Sequence, residues 1–186
     1  MNANASTTPP ASRLQQQLQS GAFVVTTEVS PPVSADVMEF LAKALPLKGL
    51  ATAVNVTDGA GAKTHLSTLV ASHFLLQNGI EPILQMTCRD RNRLALQADL
   101  IGAMALGIRN VLVLSGDNPK AGDQPDAKAV GDLDSKALLA TAQRMRTEHQ
   151  LPPGTTIKGD TRLVLGAADM PLDPPPDWNP AGLVAK

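Results

Sequence analysis

The sequence predicts an α/β fold in which parallel strands alternate with helices, as in part of a (β/α)₈ barrel. Apolar, β-branched runs recur along the chain, and segments with helical periodicity separate them. The first four runs start about thirty residues apart, which is the usual length of a βα unit. Strands that are apolar on both faces and separated by helices build a parallel sheet. The runs occupy residues 22–29, 50–57, 81–88, 109–116 and 162–168.

The chain begins with a polar segment that carries no apolar run. Residues 1–12 predict a disordered arm, and residues 13–20 predict a short helix that leads into the first strand. We therefore expect a flexible N-terminal arm over residues 1–20 and a single domain over residues 21–186. The arm has no basic start followed by an apolar stretch, so it does not resemble a signal peptide.

Four of the gaps between the apolar runs predict helices, at 36–46, 64–78, 91–108 and 135–149. The third is the clearest, because its apolar residues step by four and three and so share one helix face. Gly107 fits the end of that helix, and Asp132 or Asp134 fits the start of the fourth. The residues of the predicted apolar face are Leu94, Ala98, Ile101, Ala105 and Ile108.

Two architectures fit this pattern, an open doubly wound sheet and a closed barrel. Neither a G-x-G-x-x-G nor a P-loop sequence follows any apolar run, which weakens the case for a nucleotide-binding open sheet. Polar side chains instead gather where the runs end, and barrel enzymes build their sites at the C-terminal ends of strands. The barrel is therefore favoured. These polar residues are Glu28, Asn55, Thr57, Asp58, Gln85, Thr87, Ser115 and Asp117.

Composition excludes several classes of function. The 186 residues carry a net charge of −1, which gives no support for broad electrostatic binding to nucleic acid or to a membrane surface. Cys88 is the single cysteine, so an intrachain disulfide is excluded and a reducing compartment, the cytoplasm, is expected. No run reaches the roughly 18 apolar residues of a membrane span. The three histidines lack metal-ligand spacing, so we expect no metal site.

Two carboxylates at strand ends are candidates for chemistry. Glu28, in "TEVSPP", could be a general acid whose partly buried setting favours the protonated form, or an ordinary salt-bridged residue at a strand end. Asp117, in "LSGDNP", could accept hydrogen bonds from the N–H groups of a heterocycle, or it could simply close an Asx turn. The residues alone leave both questions open.

Three arginines, Arg89, Arg91 and Arg93, precede the third predicted helix. Arginines at a helix N-terminus can hold a phosphate or a carboxylate. A charge run in this place is more often a solvated first turn, and we favour that interpretation.

Seven motifs follow one another along the chain: "TEVSPP", "NVTDG", "KTHLST", "QMTCRDRN", "LGIRNVLVLSGDNP", "VGDLDS" and "LGAADMP". This ordered set resembles the methylenetetrahydrofolate reductase family, in the bacterial branch that carries "TCRDRN". The resemblance runs from about Phe23 to Pro180. It implies a (β/α)₈ barrel that holds FAD at the strand C-termini and reduces 5,10-methylenetetrahydrofolate to 5-methyltetrahydrofolate with NADH or NADPH. It thus implies a role in one-carbon metabolism and methionine biosynthesis.

The resemblance also implies roles for individual residues. Glu28 matches the acid that protonates the folate N10, and Asp117 matches the aspartate that hydrogen-bonds the pterin beside the flavin. Gln85 stands where many members have histidine, and Asp58 stands where some have an aromatic residue. The other implied contacts to the flavin or nicotinamide are Thr57, Ser115, Gly116, Val130 and Ala168.

Length is the main departure from the family, because a (β/α)₈ barrel normally takes about 250 residues. The sequence covers about five β/α units, the N-terminal portion of such a domain. An open sheet of this kind leaves two unpaired edges, so we expect either an incomplete chain or a half that a second polypeptide or a homo-oligomer completes. Three hypotheses follow: a flavin-dependent reductase, a non-catalytic folate- or flavin-binding half-barrel that serves as a partner subunit, and an inactive remnant.

Overall fold

The computed structural model describes residues 9–169 and 173–184. Within these residues five strands form one parallel sheet in the order β1-β2-β3-β4-β5, so each strand lies beside its sequence neighbour. This order is that of a barrel rather than of a doubly wound sheet, in which the order reverses. The predicted partial (β/α) barrel is confirmed. The strands are β1 (Thr26–Val29), β2 (Ala53–Val56), β3 (Pro82–Thr87), β4 (Asn110–Leu114) and β5 (Val164–Ala167).

Helices occupy all four of the predicted gaps. Asp36, Asn92 and Asp134 each accept a hydrogen bond from a backbone N–H of the first turn, which is the reason those helices begin there. Gly107 ends the third of them with φ 80°, a left-handed conformation that glycine adopts without strain. The helices are α1 (Arg13–Ser20), α2 (Val37–Ala44), α3 (Thr68–Gln77), α4 (Arg93–Leu106), α5 (Ser135–Glu148) and a last turn, α6 (Ala181–Val184).

The main core lies between the outer face of the sheet and the helices. Alternate residues of each strand point to this face, since side chains alternate along a strand. Val54 and Val56 pack with α2 and α3 around the fully buried Phe40. Leu84 and Val113 belong to a second cluster that includes α4 and α5. This arrangement leaves the other alternating set, including Glu28, Asn55 and Gln85, on the inner face of the curved sheet.

The N-terminal end of the inner face is closed by α1. Leu14 packs against Ala53 and Ile83, and its backbone N–H donates to Glu81 Oε1 at 2.9 Å. The short helix predicted at 13–20 is therefore present and docked, and the expectation of a flexible arm is wrong for these residues. Residues 1–8 lie outside the described part of the chain.

Helix α4 packs against the sheet with a different face from the one that its apolar spacing predicted. Leu94 and Ile101 are 72% and 37% exposed, whereas Leu96 and Leu100 are fully buried. Ala98 and Ala105 are also exposed, and Ile108 is buried but lies beyond the helix. The helix carries two apolar stripes, and the sheet selects the one that contains Leu96, Leu100, Ala103 and Met104.

Both outer strands, β1 and β5, pair on one side only within the described residues. Phe23 and Val25, which lead into β1, are 92% and 45% exposed. None of the helices in the described residues is long and apolar enough to cross a membrane.

Candidate active site

The carboxyl edge of the sheet gathers the polar residues that the sequence singled out. Because all strands run parallel, their C-terminal ends and the loops that follow lie at the same edge. Glu28 ends the inner face of β1, Gln85 lies on β3, and Asp117 follows β4. On a flat sheet β1 and β4 would lie roughly 14 Å apart, at three strand spacings. Glu28 and Asp117 could therefore contact different parts of one extended ligand.

Glu28 is held by an amide rather than by a cation. Gln85 Nε2 donates to Glu28 Oε2 at 2.9 Å, and this bond passes over β2, whose Asn55 is the register partner of Glu28. Gln85 is 7% exposed, while Glu28 is exposed on the open inner face. No ion pair to Glu28 occurs within the described residues. Both sequence interpretations, the partly buried acid and the salt-bridged residue, are wrong about its surroundings.

Asp58 is committed to contacts within the protein. Its Oδ2 accepts from Thr87 N at 2.8 Å, from Thr87 Oγ1 at 2.9 Å, and from the Arg91 guanidinium. Arg91 also pairs with Asp99 at 3.0 Å. The side chains of Asp58 and Arg91 are only 15% and 20% exposed. Even with a ligand bound beside it, the Asp58 carboxylate would stay hydrogen-bonded to Thr87 at the end of β3 and to Arg91 before α4.

Replacing Asp58 by Asn should lower the free energy of unfolding by about 2 kcal/mol, since it removes the charge from hydrogen bonds that are largely shielded from water. Asp99→Asn is the matched control, because it removes the second carboxylate on the same arginine. At 31% exposure of Asp99, that change should cost less than about 1 kcal/mol. Denaturant unfolding of both variants measures the difference. An equal loss of unfolding free energy in the two variants would contradict the larger contribution assigned to Asp58.

Asp117 reaches across to the neighbouring loop. Its Oδ2 accepts from the backbone N–H of Gly61 at 2.8 Å, and the residue itself is exposed. The Asx turn expected here is made by the next residue, since Asn118 Oδ1 accepts from Lys120 N at 3.0 Å. Gly116 precedes Asp117 with φ 91°, so the chain turns sharply after β4.

The three arginines are paired with carboxylates of the chain. Arg89 is 8% exposed and forms a bidentate contact with Asp90 at 2.7 and 2.6 Å. Arg93 is half exposed and pairs with Asp132, and its hydrogen bonds lower the pKa of Asp132 to about 2. The predicted solvated first turn is therefore right for Arg93 and wrong for Arg89 and Arg91. This pairing removes the support for an anion site at the start of α4.

The remaining candidates lie along the same edge. Thr57 is buried, and its hydroxyl donates to Ser30 Oγ at 3.0 Å. Ser115 and Ala168 are exposed, and the amide of Ala168 donates to Val113 O at 3.4 Å. Val130 is 48% exposed, and its amide donates to Arg89 O at 2.7 Å. Cys88 directly follows β3, but its side chain is buried in the core cluster with α4 and α5, and desolvation raises the pKa of the thiol.

A cavity of about 280 Å³ lies among the loops after β2, β3 and β4. Its lining includes Asp58, Gly59, His65 and Arg89 but neither Glu28 nor Gln85. His65 joins two loops through a 2.7 Å hydrogen bond between its Nδ1 and the carbonyl of Pro31. Sequence reasoning missed the loop glycines Gly59 and Gly61, whose φ values are 61° and 66°. The run "DGAG" was the signal for a sharply turned loop beside the site.

Among the described residues no group of three or more His, Cys, Asp and Glu side chains has the arrangement of a metal site. A search of curated proteins finds no match to this chain. A family model, methylenetetrahydrofolate reductase, matches residues 13–148. The match covers α1 to α5 and includes the ends of the first four strands, where Glu28, Gln85 and Asp117 lie. Since this is well over half of the 186 residues, the chain belongs to the methylenetetrahydrofolate reductase family.

Proposed function

We propose that this chain takes part in the flavin-dependent reduction of 5,10-methylenetetrahydrofolate to 5-methyltetrahydrofolate by a reduced nicotinamide. The observation that carries the proposal is Glu28, an exposed carboxyl group held at 2.9 Å by Gln85 on the inner face of a barrel sheet. The family match supports the class of reaction. We also propose that the reaction takes place in the cytoplasm and that either NADH or NADPH is the electron donor.

Glu28 is the proton donor in this proposal. The folate N10 must gain a proton for the five-membered ring to open, and a carboxylic acid within hydrogen-bond reach can supply it. Gln85 suits this role because its amide donates to the carboxylate through N–H and can accept from the acid through its oxygen after rotation. It can therefore hold Glu28 in both protonation states, without a charge of its own.

The donor set at the strand ends fits a flavin. A flavin ring presents N–H and carbonyl groups, and the edge offers the Asp117 carboxylate, the Ser115 hydroxyl and the glycine backbone at Gly116 in exposed positions. When bound, FAD supplies a reversible acceptor of hydride. We assign its binding to Thr57, Gln85, Ser115, Gly116, Asp117, Val130 and Ala168, and we assign the pterin contact to Asp117. The Asp58 carboxylate would hold the loop after β2 in place through its hydrogen bonds to Thr87 and Arg91.

A second candidate function is a non-catalytic half-barrel that binds folate or flavin as a partner subunit. The observation that favours it is the pair of one-sided strands β1 and β5, which leaves Glu28 exposed within the described residues. A second polypeptide or another copy of the chain would then cover the sheet edges. In that state the chain would bind ligand but would not turn it over alone.

The visible spectrum of the purified 186-residue chain, before and after anaerobic addition of NADH or NADPH, separates these functions. The reductase predicts flavin absorbance that bleaches with at least one nicotinamide. The binding module predicts flavin absorbance that does not bleach with either. A chain that neither carries flavin nor takes up added FAD would contradict the proposal for this chain.

A further inference from the structure

We infer that Arg89 is a positioning residue, whose buried guanidinium holds the loop after β2 against the loop after β4 and thereby sets the place of Asp117. The link from this geometry to catalysis rests on the proposed function, but the geometry itself does not.

The guanidinium of Arg89 contacts both loops at once. Its Nη1 donates to the carbonyl of Gly59 at 3.3 Å and to the carbonyl of Asp117 at 3.4 Å. Its Nε and Nη2 donate to the Asp90 carboxylate, which fixes the plane of the group. A planar guanidinium has five donors in fixed directions, so one side chain can serve three acceptors that lie around it. Lysine has no such plane.

Charge points to the same role. The hydrogen bonds that Arg89 donates to Asp90 raise the pKa of Arg89, and the charges of Asp90, Asp58 and Asp117 raise it further, while burial acts in the opposite direction. Asp58, Asp90 and Asp117 thus all act on one buried cation, and Asp90 contacts it through its carboxylate. Loss of that cation would remove this attraction from the loops that carry Asp58 and Asp117, and Asp58 would keep its pair with Arg91.

Two glycines provide an independent geometric argument. A Cβ at Gly59 would lie 2.5 Å from Arg89 Nη2, and a Cβ at Gly116 would lie 3.0 Å from Arg89 Cβ. Both residues have positive φ, 61° and 91°. A side chain at Gly59 would therefore displace the guanidinium, and one at Gly116 would crowd the Arg89 Cβ.

The backbone of Arg89 ties a third segment, because its carbonyl accepts from the amide of Val130 at 2.7 Å. The hydrogen bond from Gly61 N to Asp117 Oδ2 joins the loops after β2 and β4 a second time. The loop after β2 and two parts of the loop between β4 and α5 are thus fastened at Arg89, and they carry the proposed flavin contacts Thr57, Asp117 and Val130. Arg89 would act on a ligand through these loops rather than by contact with the reacting atoms.

Amide hydrogen exchange on the full chain tests this inference without any ligand. In Arg89→Met we expect the Gly61 amide to exchange at least about tenfold faster, while the amides of β3 keep their wild-type protection. In Arg89→Lys the exchange rate of the Gly61 amide should lie between those of the wild type and Arg89→Met, because lysine keeps the charge but lacks the planar guanidinium. Arg93→Met, a change at a half-exposed arginine of the same segment, should leave Gly61 unchanged. Unchanged exchange at Gly61 in Arg89→Met, or an equal rise throughout β3, would overturn the inference.

Gly59→Ala provides a second test should Arg89→Met fail to fold. It displaces the guanidinium without removing it and should give the same local rise at Gly61. Gly131→Ala is its control, since Gly131 also has a positive φ, 55°, but has open space where a Cβ would lie. The role of Arg89 would be contradicted if exchange of the Gly61 amide rose as much in Gly131→Ala as in Gly59→Ala, or if it did not rise in Gly59→Ala.

Added FAD then connects the geometry to the proposed function. If the wild-type chain binds FAD, Arg89→Met should weaken binding about tenfold, and Asp117→Asn should add little in the double variant because both changes act on one loop. Full additivity would overturn the link. If the wild-type chain binds no FAD, the proposed function fails, and hydrogen exchange still decides the role of Arg89.

Discussion

Glu28→Gln is expected to leave reduction of the flavin by nicotinamide intact and to slow reduction of the folate by about 10²–10⁴-fold, the usual contribution of a general acid. Glutamine has nearly the shape of glutamic acid and can still hydrogen-bond to Gln85, so the inner face keeps its arrangement. It cannot release a proton to N10. Stopped-flow measurement of the two half-reactions, with the electron donor and the folate mixed separately, distinguishes these effects.

Glu39→Gln is the matched control, because Glu39 is an exposed residue of α2, outside the inner face of the sheet, and carries the same charge. Both half-reactions should keep their wild-type rates in this variant. Folate reduction at the wild-type rate in Glu28→Gln would remove Glu28 from the role of acid. Loss of both half-reactions would instead mean that Glu28 holds the bound molecules and does not serve mainly as a proton donor.

The location of Glu28 and Asp117 follows from local sequence signals. A repeated step of apolar runs predicts parallel strands, and parallel strands bring their C-terminal ends to one edge. A residue that directly follows such a run must then lie near that edge. This reasoning requires no knowledge of which side chains touch. In the structure Thr57, Asp58, Ser115 and Asp117 follow strands, whereas Glu28, Asn55, Gln85 and Thr87 lie within them.

The partners of these residues could not be predicted in the same way. Gln85 meets Glu28 across an intervening strand, so their contact depends on strand register and on the curvature of the sheet. Arg91 pairs with Asp58, which lies 33 positions away, and Arg93 pairs with Asp132, which lies 39 positions away. A short sequence window containing three arginines resembles a solvated turn, because the carboxylates that pair with Arg91 and Arg93 come from other loops and only Asp90, the partner of Arg89, lies within the window.

The face that α4 buries could not be predicted for a similar reason, since it depends on the rest of the fold. Leu94 and Leu100 lie on the same helix, and both belong to regular apolar stripes. Periodicity identifies a stripe but cannot choose between two of them. The choice is made by the sheet and by the flanking helices α3 and α5, which pack against the side that contains Leu100.

Leu100→Ala should therefore lower the free energy of unfolding by about 3 kcal/mol, since it removes a fully buried side chain and leaves a cavity in a close-packed cluster. Leu94→Ala changes the same residue type on the same helix, but at 72% exposure it should change stability by less than about 0.5 kcal/mol. Alanine has the highest helix propensity, so loss of helix formation cannot explain a cost in either variant.

Denaturant unfolding with a shared slope for the three proteins measures both values. A cost at Leu94 as large as that at Leu100 would mean that the outer stripe is also packed against protein in solution, through another copy of the chain. Dilution separates that outcome from an error in the orientation of α4, because the cost of a contact between copies decreases as the chain is diluted, whereas the cost of a buried core residue does not.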